Sequence, residues 1–469
     1  MRMTRRHFVA GAAAGALVAA GGYELVDRLT AAPSRRRATA LPPEQHLLES
    51  VQVIRDNGVE VLVPPLHHQV VTAEVRASSV ADLRKARADF EEALADLDRR
   101  YEPTPAGLGF TVAWGLPYFR RHVPELAKSH LPIDRRASVA KKQVVRTLID
   151  AVRFPSDPQE TILEANDVAV LLRSDRLDHI ADGAKTLFKD LDVFTPTSIR
   201  KGFVGGGFDG GPGLPKQMAL AADVRGADLI PDGSELFLGF TSSQKTGLGP
   251  PRIANVETLG YSDGGQDGYF RQGTHMHLSH MTEDLEAWYI NFAFAERVST
   301  AFRPGLRVRD ETQTVAQPLR HVGTTAEVRR GYQRVGAIGH SQAIQTTSRL
   351  QRAVRGTDGT VYPKGTAIPQ RADFNTLDNP FFWTSRPDVD QQSDQPAAGL
   401  HFVVFNPTSD DFHRNRLAMD GVLPDGTKLP FDPKDRGQGF NSVLTTTHRQ
   451  NFIVPPRRNR SFPLVEFVD

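Results

Sequence analysis

A chain of 469 residues is long enough for two or three domains. Its 57 basic and 55 acidic residues leave a net charge of +2, and 39% of it is hydrophobic, so it reads as an ordinary soluble globular protein without an electrostatic footprint for nucleic acid. It contains no cysteine, which excludes disulfides, thiolate catalysis, iron–sulfur clusters and cysteine-ligated metal and leaves His, Asp, Glu or Tyr to hold any tightly bound ion.

The first forty residues read as an address. Arg5-Arg6 precede Phe8, a small and apolar run follows from Val9 to Gly22, and Ala38-Thr39-Ala40 resembles a cleavage site. That layout is a signal peptide, and the paired arginines point to the twin-arginine route. The apolar run falls short of the roughly 20 residues that span a bilayer. The twin-arginine route carries folded passengers, which often hold a cofactor inserted before export. Export to the cell envelope or exterior is therefore expected, with the translocase as a transient partner.

The mature chain opens on a linker with a short strand, Glu60 to Val63, stopped by Pro64-Pro65. His68 to Val75 has β-branched residues at strand length. Val80 to Leu97 predicts a helix, because Leu83, Phe90, Leu94 and Leu97 share one face and Ser78 or Ser79 can cap it. Leu108 to Trp114 and Asp167 to Leu172 predict strands, and Leu177 to Phe188 predicts a helix. Residues 202–213 form a glycine-dense turn. A second cycle follows: strands at Ser234 to Gly239 and Tyr269 to Leu278, a helix from Glu283 to Val298, a buried strand from Leu400 to Phe405 and a helix from Ser409 to Met419. Residues 356–398 and 421–447 read as long surface loops. The rhythm is two α+β halves, each with short strands in an antiparallel sheet.

Several segments, in order, resemble the dye-decolorizing peroxidase family. They are Leu108 to Leu116, Asn166 to Leu187, Gly206-Gly207-Phe208-Asp209-Gly210 with its G-x-x-D-G pattern, Ile230 to Gly239, Asp267 to Phe270, Asp284 to Trp288, Gly339-His340-Ser341, Ile368 to Phe374, and Gly399 to Phe405. The resemblance spans roughly residues 65–420. It implies two ferredoxin-like domains in a dimeric α+β barrel-like arrangement, residues 41–225 and 226–469, with haem b in the second. It also implies hydrogen peroxide as oxidant and a small organic reductant, dye or phenol-like. The state of association stays open, a homo-oligomer included.

Without cysteine, His or Tyr must supply the axial ligand of a haem iron. The resemblance makes His340 that ligand, Asp209 the acid–base residue on the opposite face and Arg371 the cation that steadies charge on peroxide. Asp373 would orient Arg371 or bond a haem propionate. Gly260-Tyr261-Ser262-Asp263-Gly264 also fits G-x-x-D-G, so Asp263 competes with Asp209; the following Pro231–Gly239 segment favours Asp209. The 31 residues from His340 to Arg371 exceed the family's spacing, and Arg349, Arg352 and Arg355 lie in that gap.

Two other readings compete. His275, His277 and His280 could bind copper, zinc or ferrous iron without haem, with His275 and His277 on one strand face and His280 in the next turn. Alternatively the chain keeps the peroxidase fold without its chemistry. The aromatic residues Trp288, Tyr289 and Phe381-Phe382-Trp383 read either as packing or as an electron relay.

Overall fold

In the computed structural model the described residues are 41–56, 59–205, 211–240, 268–309, 314–315, 324–355, 361–390 and 392–468. The expected signal segment and both G-x-x-D-G aspartates lie outside them.

The first module runs β1 (His67–Val75), α1 (Val80–Arg100), β2 (Gly109–Gly115), β3 (Val168–Ser174), α2 (Leu177–Phe188) and β4 (Phe194–Phe203). Its strands are antiparallel in the order β4-β1-β3-β2. The helix α1 starts where its sequence predicts. Ser79 Oγ accepts the Asp82 amide at 3.1 Å, and the Asp82 carboxylate accepts the Ser79 amide at 3.1 Å, a reciprocal cap that satisfies two orphan donors. Leu83, Phe90, Leu94 and Leu97 of α1 are buried with Ile180 and Leu187 of α2 against Val112, Trp114, Val170 and Leu172.

The second module repeats the plan: β5 (Thr274–Glu283), α3 (Phe294–Ala301), α4 (His340–Ile344), β6 (Phe374–Leu377), β7 (Ala398–Asn406), α5 (Ser409–Met419) and β8 (Leu444–Val454). Its strand order is β8-β5-β7-β6, the same arrangement as in the first module. Each module therefore has the ferredoxin-like order, and the fold is α+β as expected.

The modules join edge to edge. β2 pairs with β8 through Gly115 and Trp114, and β4 meets β6 at Phe203 and Asn375. The eight strands thus close a ring, which leaves no free edge along these strands. One face of each sheet turns inward, where Val70, Ala169, Leu171, Leu278, Phe374, Val403, Phe405 and Phe452 form a shared core. Among the described residues no helix is long and apolar enough to cross a membrane.

The structure corrects several sequence expectations. Ser234 to Gly239 is a turn rather than a strand; the Asn375 side chain takes up its Phe237 amide at 2.9 Å and its Glu235 carbonyl at 3.1 Å, doing the work of a pairing partner. The strand expected at Tyr269 to Leu278 begins at Thr274 and runs on to Glu283. The helix expected from Glu283 to Val298 is broken into a π-turn at Ala287–Asn291 and α3. Strands β4 and β6 and most of β8 are not expected from the sequence; β6 lies within 356–398 and the start of β8 within 421–447, both read as surface loops. Thr446, His448, Arg449, Gln450 and Asn451 are all buried in β8, a polar run that imitates a surface loop.

A charged cavity on the second sheet

The outer faces of the two sheets differ. In the first module α1 and α2 lie directly on the strands, whereas in the second α5 packs on them through Phe412 and a cavity opens beside it, walled by α4. Its floor is Ser279, Met281 and Glu283 of β5, Leu400, Phe402 and Val404 of β7, and Leu444, Thr446 and Arg449 of β8. Alternation along β5 and β7 puts these residues on one face and the shared inner core on the other, and in β8 a bulge between Thr446 and His448 brings Arg449 to the same face.

His340 opens α4 on the cavity wall. Position 339 must be glycine, since a Cβ there would stand 2.3 Å from the Phe302 carbonyl oxygen. The imidazole packs on Phe440 with ring centroids 4.6 Å apart. Burial first, and then the charges of Arg371 and Arg416, lower its pKa to about 3, so the ring is neutral at physiological pH. Its Nδ1 is buried and has no hydrogen-bond partner among the described residues.

Arg371 sits in a two-residue strand, Gln370–Arg371, paired with Phe405 and Val404 of β7. Its Nη1 is 3.5 Å from Asp373 Oδ2, and Asp373 Oδ1 accepts the Val403 amide at 3.1 Å. The backbone of β7 thus holds the carboxylate that faces the guanidinium. His340, Arg371 and Asp373 all line the one cavity. Asp209 falls within 206–210 and Asp263 within 241–267, outside the described residues. Gly205, just before the first of these segments, bonds the Glu235 carbonyl at 3.1 Å, next to cavity-lining Leu236.

Of the three arginines in the His340–Arg371 gap, only Arg349 reaches the cavity; Arg352 and Arg355 are exposed. Arg416 and Arg449 were not singled out by sequence, nor were Asp157 and Glu283. Asp157 receives Arg449 Nε at 2.9 Å and Nη2 at 2.7 Å, and Arg416 Nη2 at 3.3 Å. Burial alone would raise the Asp157 pKa, but these two guanidinium groups hold it below its ordinary value. Arg416 also bonds Asp420 at 2.5 Å. No local pattern marks the Asp157 contacts, because Arg416 and Arg449 lie 259 and 292 positions away from it.

Glu283 sits at the end of β5 opposite Leu444, and Leu238, Phe240 and Ala301 are among the apolar residues of the cavity lining. Burial pushes the Glu283 carboxyl up to about 8, so it is largely protonated at neutral pH. From His277, which pairs with Val404 near the arginines, to Glu283 is a run of six residues, roughly 20 Å of strand. The cavity is therefore polarised, cationic at one end and neutral at the other.

The histidines of β5 do not converge. His275 Nδ1 lies 3.1 Å from the Pro407 carbonyl. His277 stacks on Phe412 and bonds Asn451 and Ser279. His280 lies inside the strand, not in a turn, and points to the opposite face, where it bonds Asp378 at 2.7 Å. Among the described residues no group of three or more His, Asp or Glu is placed to hold a metal ion. Trp288 and Tyr289 are buried and donate to the Leu238 and Phe237 carbonyls, which is packing; Trp383 is exposed.

Three solved structures are similar to this chain in outline. A dye-decolorizing protein from V. cholerae is 13% identical, with 86% of this chain and 97% of that one covered and a TM-score of 0.46. An encapsulated DyP-type peroxidase from Mycobacterium smegmatis is 12% identical, covering 85% and 95%, with a TM-score of 0.48. A putative DyP-type peroxidase from Shewanella oneidensis is 14% identical, covering 92% and 100%, with a TM-score of 0.46. No curated protein matches the chain. A family described as "Family of unknown function (DUF7405)" matches residues 65–456, and the chain belongs to that family.

Proposed function

We propose that the protein is a haem-dependent peroxidase that reduces hydrogen peroxide at the expense of an organic reductant. The observation that carries this reading is His340: a neutral imidazole on the wall of a cavity that also holds a guanidinium and a carboxylate. A histidine that holds a haem iron must be unprotonated, and burial keeps this imidazole neutral. The donor set thus fits haem b, with His340 as the residue that would hold its iron.

When bound, haem would supply the redox chemistry that carries electrons from the reductant to peroxide. Two electrons and two protons turn each peroxide into two waters. Arg371 is permanently cationic and would oppose negative charge on the peroxide. Asp373, held by the Val403 amide, would keep that guanidinium in place. Proton transfer to the leaving oxygen is assigned to Asp209 by its place in the G-x-x-D-G pattern.

A relative that binds haem without turnover is the second reading. It is favoured by His340 Nδ1, because a ligating imidazole ordinarily donates its second N–H to a carboxylate or carbonyl. Haem-loaded protein assayed with peroxide and a bulky dye separates the two. Dye oxidation that depends on peroxide and falls strongly in Arg371→Leu supports the peroxidase; a haem-loaded protein without turnover supports the second reading.

Export by the twin-arginine route belongs to the same proposal, supported by Arg5-Arg6 and the short apolar run behind them. Replacing both arginines by lysine should leave the protein in the cytoplasm. Unchanged export would remove that part.

A further inference from the structure

Among the described residues the charges at the cationic end do not balance. Arg416 and Arg449 share Asp157, and Arg416 also holds Asp420. Arg371 faces Asp373. Arg349 lines the same wall, and its Nε and Nη1 are buried without a hydrogen-bond partner among the described residues. Burial, and then repulsion from the Arg371 guanidinium, lower its pKa to about 10. A guanidinium buried without an anion costs stability, so a fold that keeps one implies a ligand that pairs with it.

The local backbone is built to hold it there. Arg349 bridges Ala367, with the Leu350 amide bonded to the Thr366 carbonyl at 2.9 Å and the Ile368 amide to the Ser348 carbonyl at 2.8 Å. Three residues beyond Ile368 the chain reaches Arg371. The extra length between His340 and Arg371 therefore delivers a second arginine to the wall that carries the first.

We propose that Arg349, with Arg371 beside it, is the seat for a carboxylate of the cavity's ligand. A planar fork of N–H donors suits a carboxylate in two-point contact. Such a carboxylate comes from one of two sources: the edge of a porphyrin diacid or a free carboxylate substrate. Only the first source rests on the haem reading.

The test uses the full chain and iron-free protoporphyrin IX, as the diacid and as its dimethyl ester, with benzoate as the small carboxylate. If the porphyrin edge is the source, Arg349→Gln weakens diacid binding about ten- to hundredfold and leaves the ester unchanged. If a free carboxylate is the source, benzoate raises the melting temperature of the wild type and not of Arg349→Gln, whatever the porphyrins do. In that case the absence of porphyrin binding by the wild type would end the haem reading alone. Without ligand, Arg349→Gln should melt no lower than the wild type, because it removes an unpaired charge. A lower melting temperature, an equal loss for diacid and ester, or no effect in either arm overturns the proposal. Arg349→Lys, which keeps the charge but not the fork, should bind between the two.

Discussion

Arg449 grips Asp157 with two hydrogen bonds, Nε to Oδ2 at 2.9 Å and Nη2 to Oδ1 at 2.7 Å, joining residues 292 positions apart. The contact ties strand β8 to the segment between β2 and β3, and so fastens the two modules across the cavity floor. Phe154 lies under the guanidinium, 5.1 Å from it.

Breaking that pair on one side should be costly. Asp157→Ala leaves Arg449 and Arg416 short of a buried anion, and a loss of about 3–5 kcal/mol is expected. Replacing both members, as Asp157→Leu with Arg449→Met, should cost less than the single change. Urea unfolding of the three variants measures this, and a single variant as stable as the wild type would contradict it.

The same pair predicts an acid limit. The folded state holds the Asp157 pKa below its ordinary value, so the unfolded chain binds the proton more readily. Its contribution is complete above the unfolded pKa, about 3.9, and is lost as pH falls through the folded value. Asp157→Asn should be unstable at neutral pH and lose less than the wild type between pH 5 and pH 3.

Glu283 works in the opposite direction. Its folded pKa is raised to about 8, so between about 4.5 and 8 the folded state binds more protons than the unfolded one. Stability from this group therefore falls as pH rises through that window. Glu283→Gln should remove the decline and be the more stable protein at pH 8. Parallel denaturation midpoints at pH 5, 7 and 8.5 for both proteins would refute this.

Much of the fold was legible because apolar periodicity survives where one face meets a core. The spacing of Leu83, Phe90, Leu94 and Leu97 places α1, and the apolar run at Val168 to Leu172 places β3. β8 was not legible because its buried side chains are polar and paired with residues far along the chain. The site was read in part. His340, Arg371 and Asp373 follow from the family resemblance and share the cavity. Arg416 and Arg449 escape any local reading, because the carboxylates that hold them include Asp157, far along the chain. The histidine triplet looked like a ligand set on spacing alone, but strand alternation sends His280 to the other face.

Substituting His277 should expose how structural that triplet is. His277→Ala takes one hydrogen-bond partner each from Asn451 and Ser279, which keep Ile149 and Arg449, and removes a ring stacked on Phe412. A loss of about 1–3 kcal/mol is expected, with haem content unchanged. A haem-free but equally stable variant would contradict it.

The visible absorption spectrum of the protein purified from a haem-sufficient host tests the central claim most directly, with His340→Ala alongside. The account predicts a strong Soret band and one haem per chain in the wild type, and little or no bound haem in the variant. A colourless wild type that stays colourless after reconstitution, or a variant with an unchanged Soret band, would contradict it.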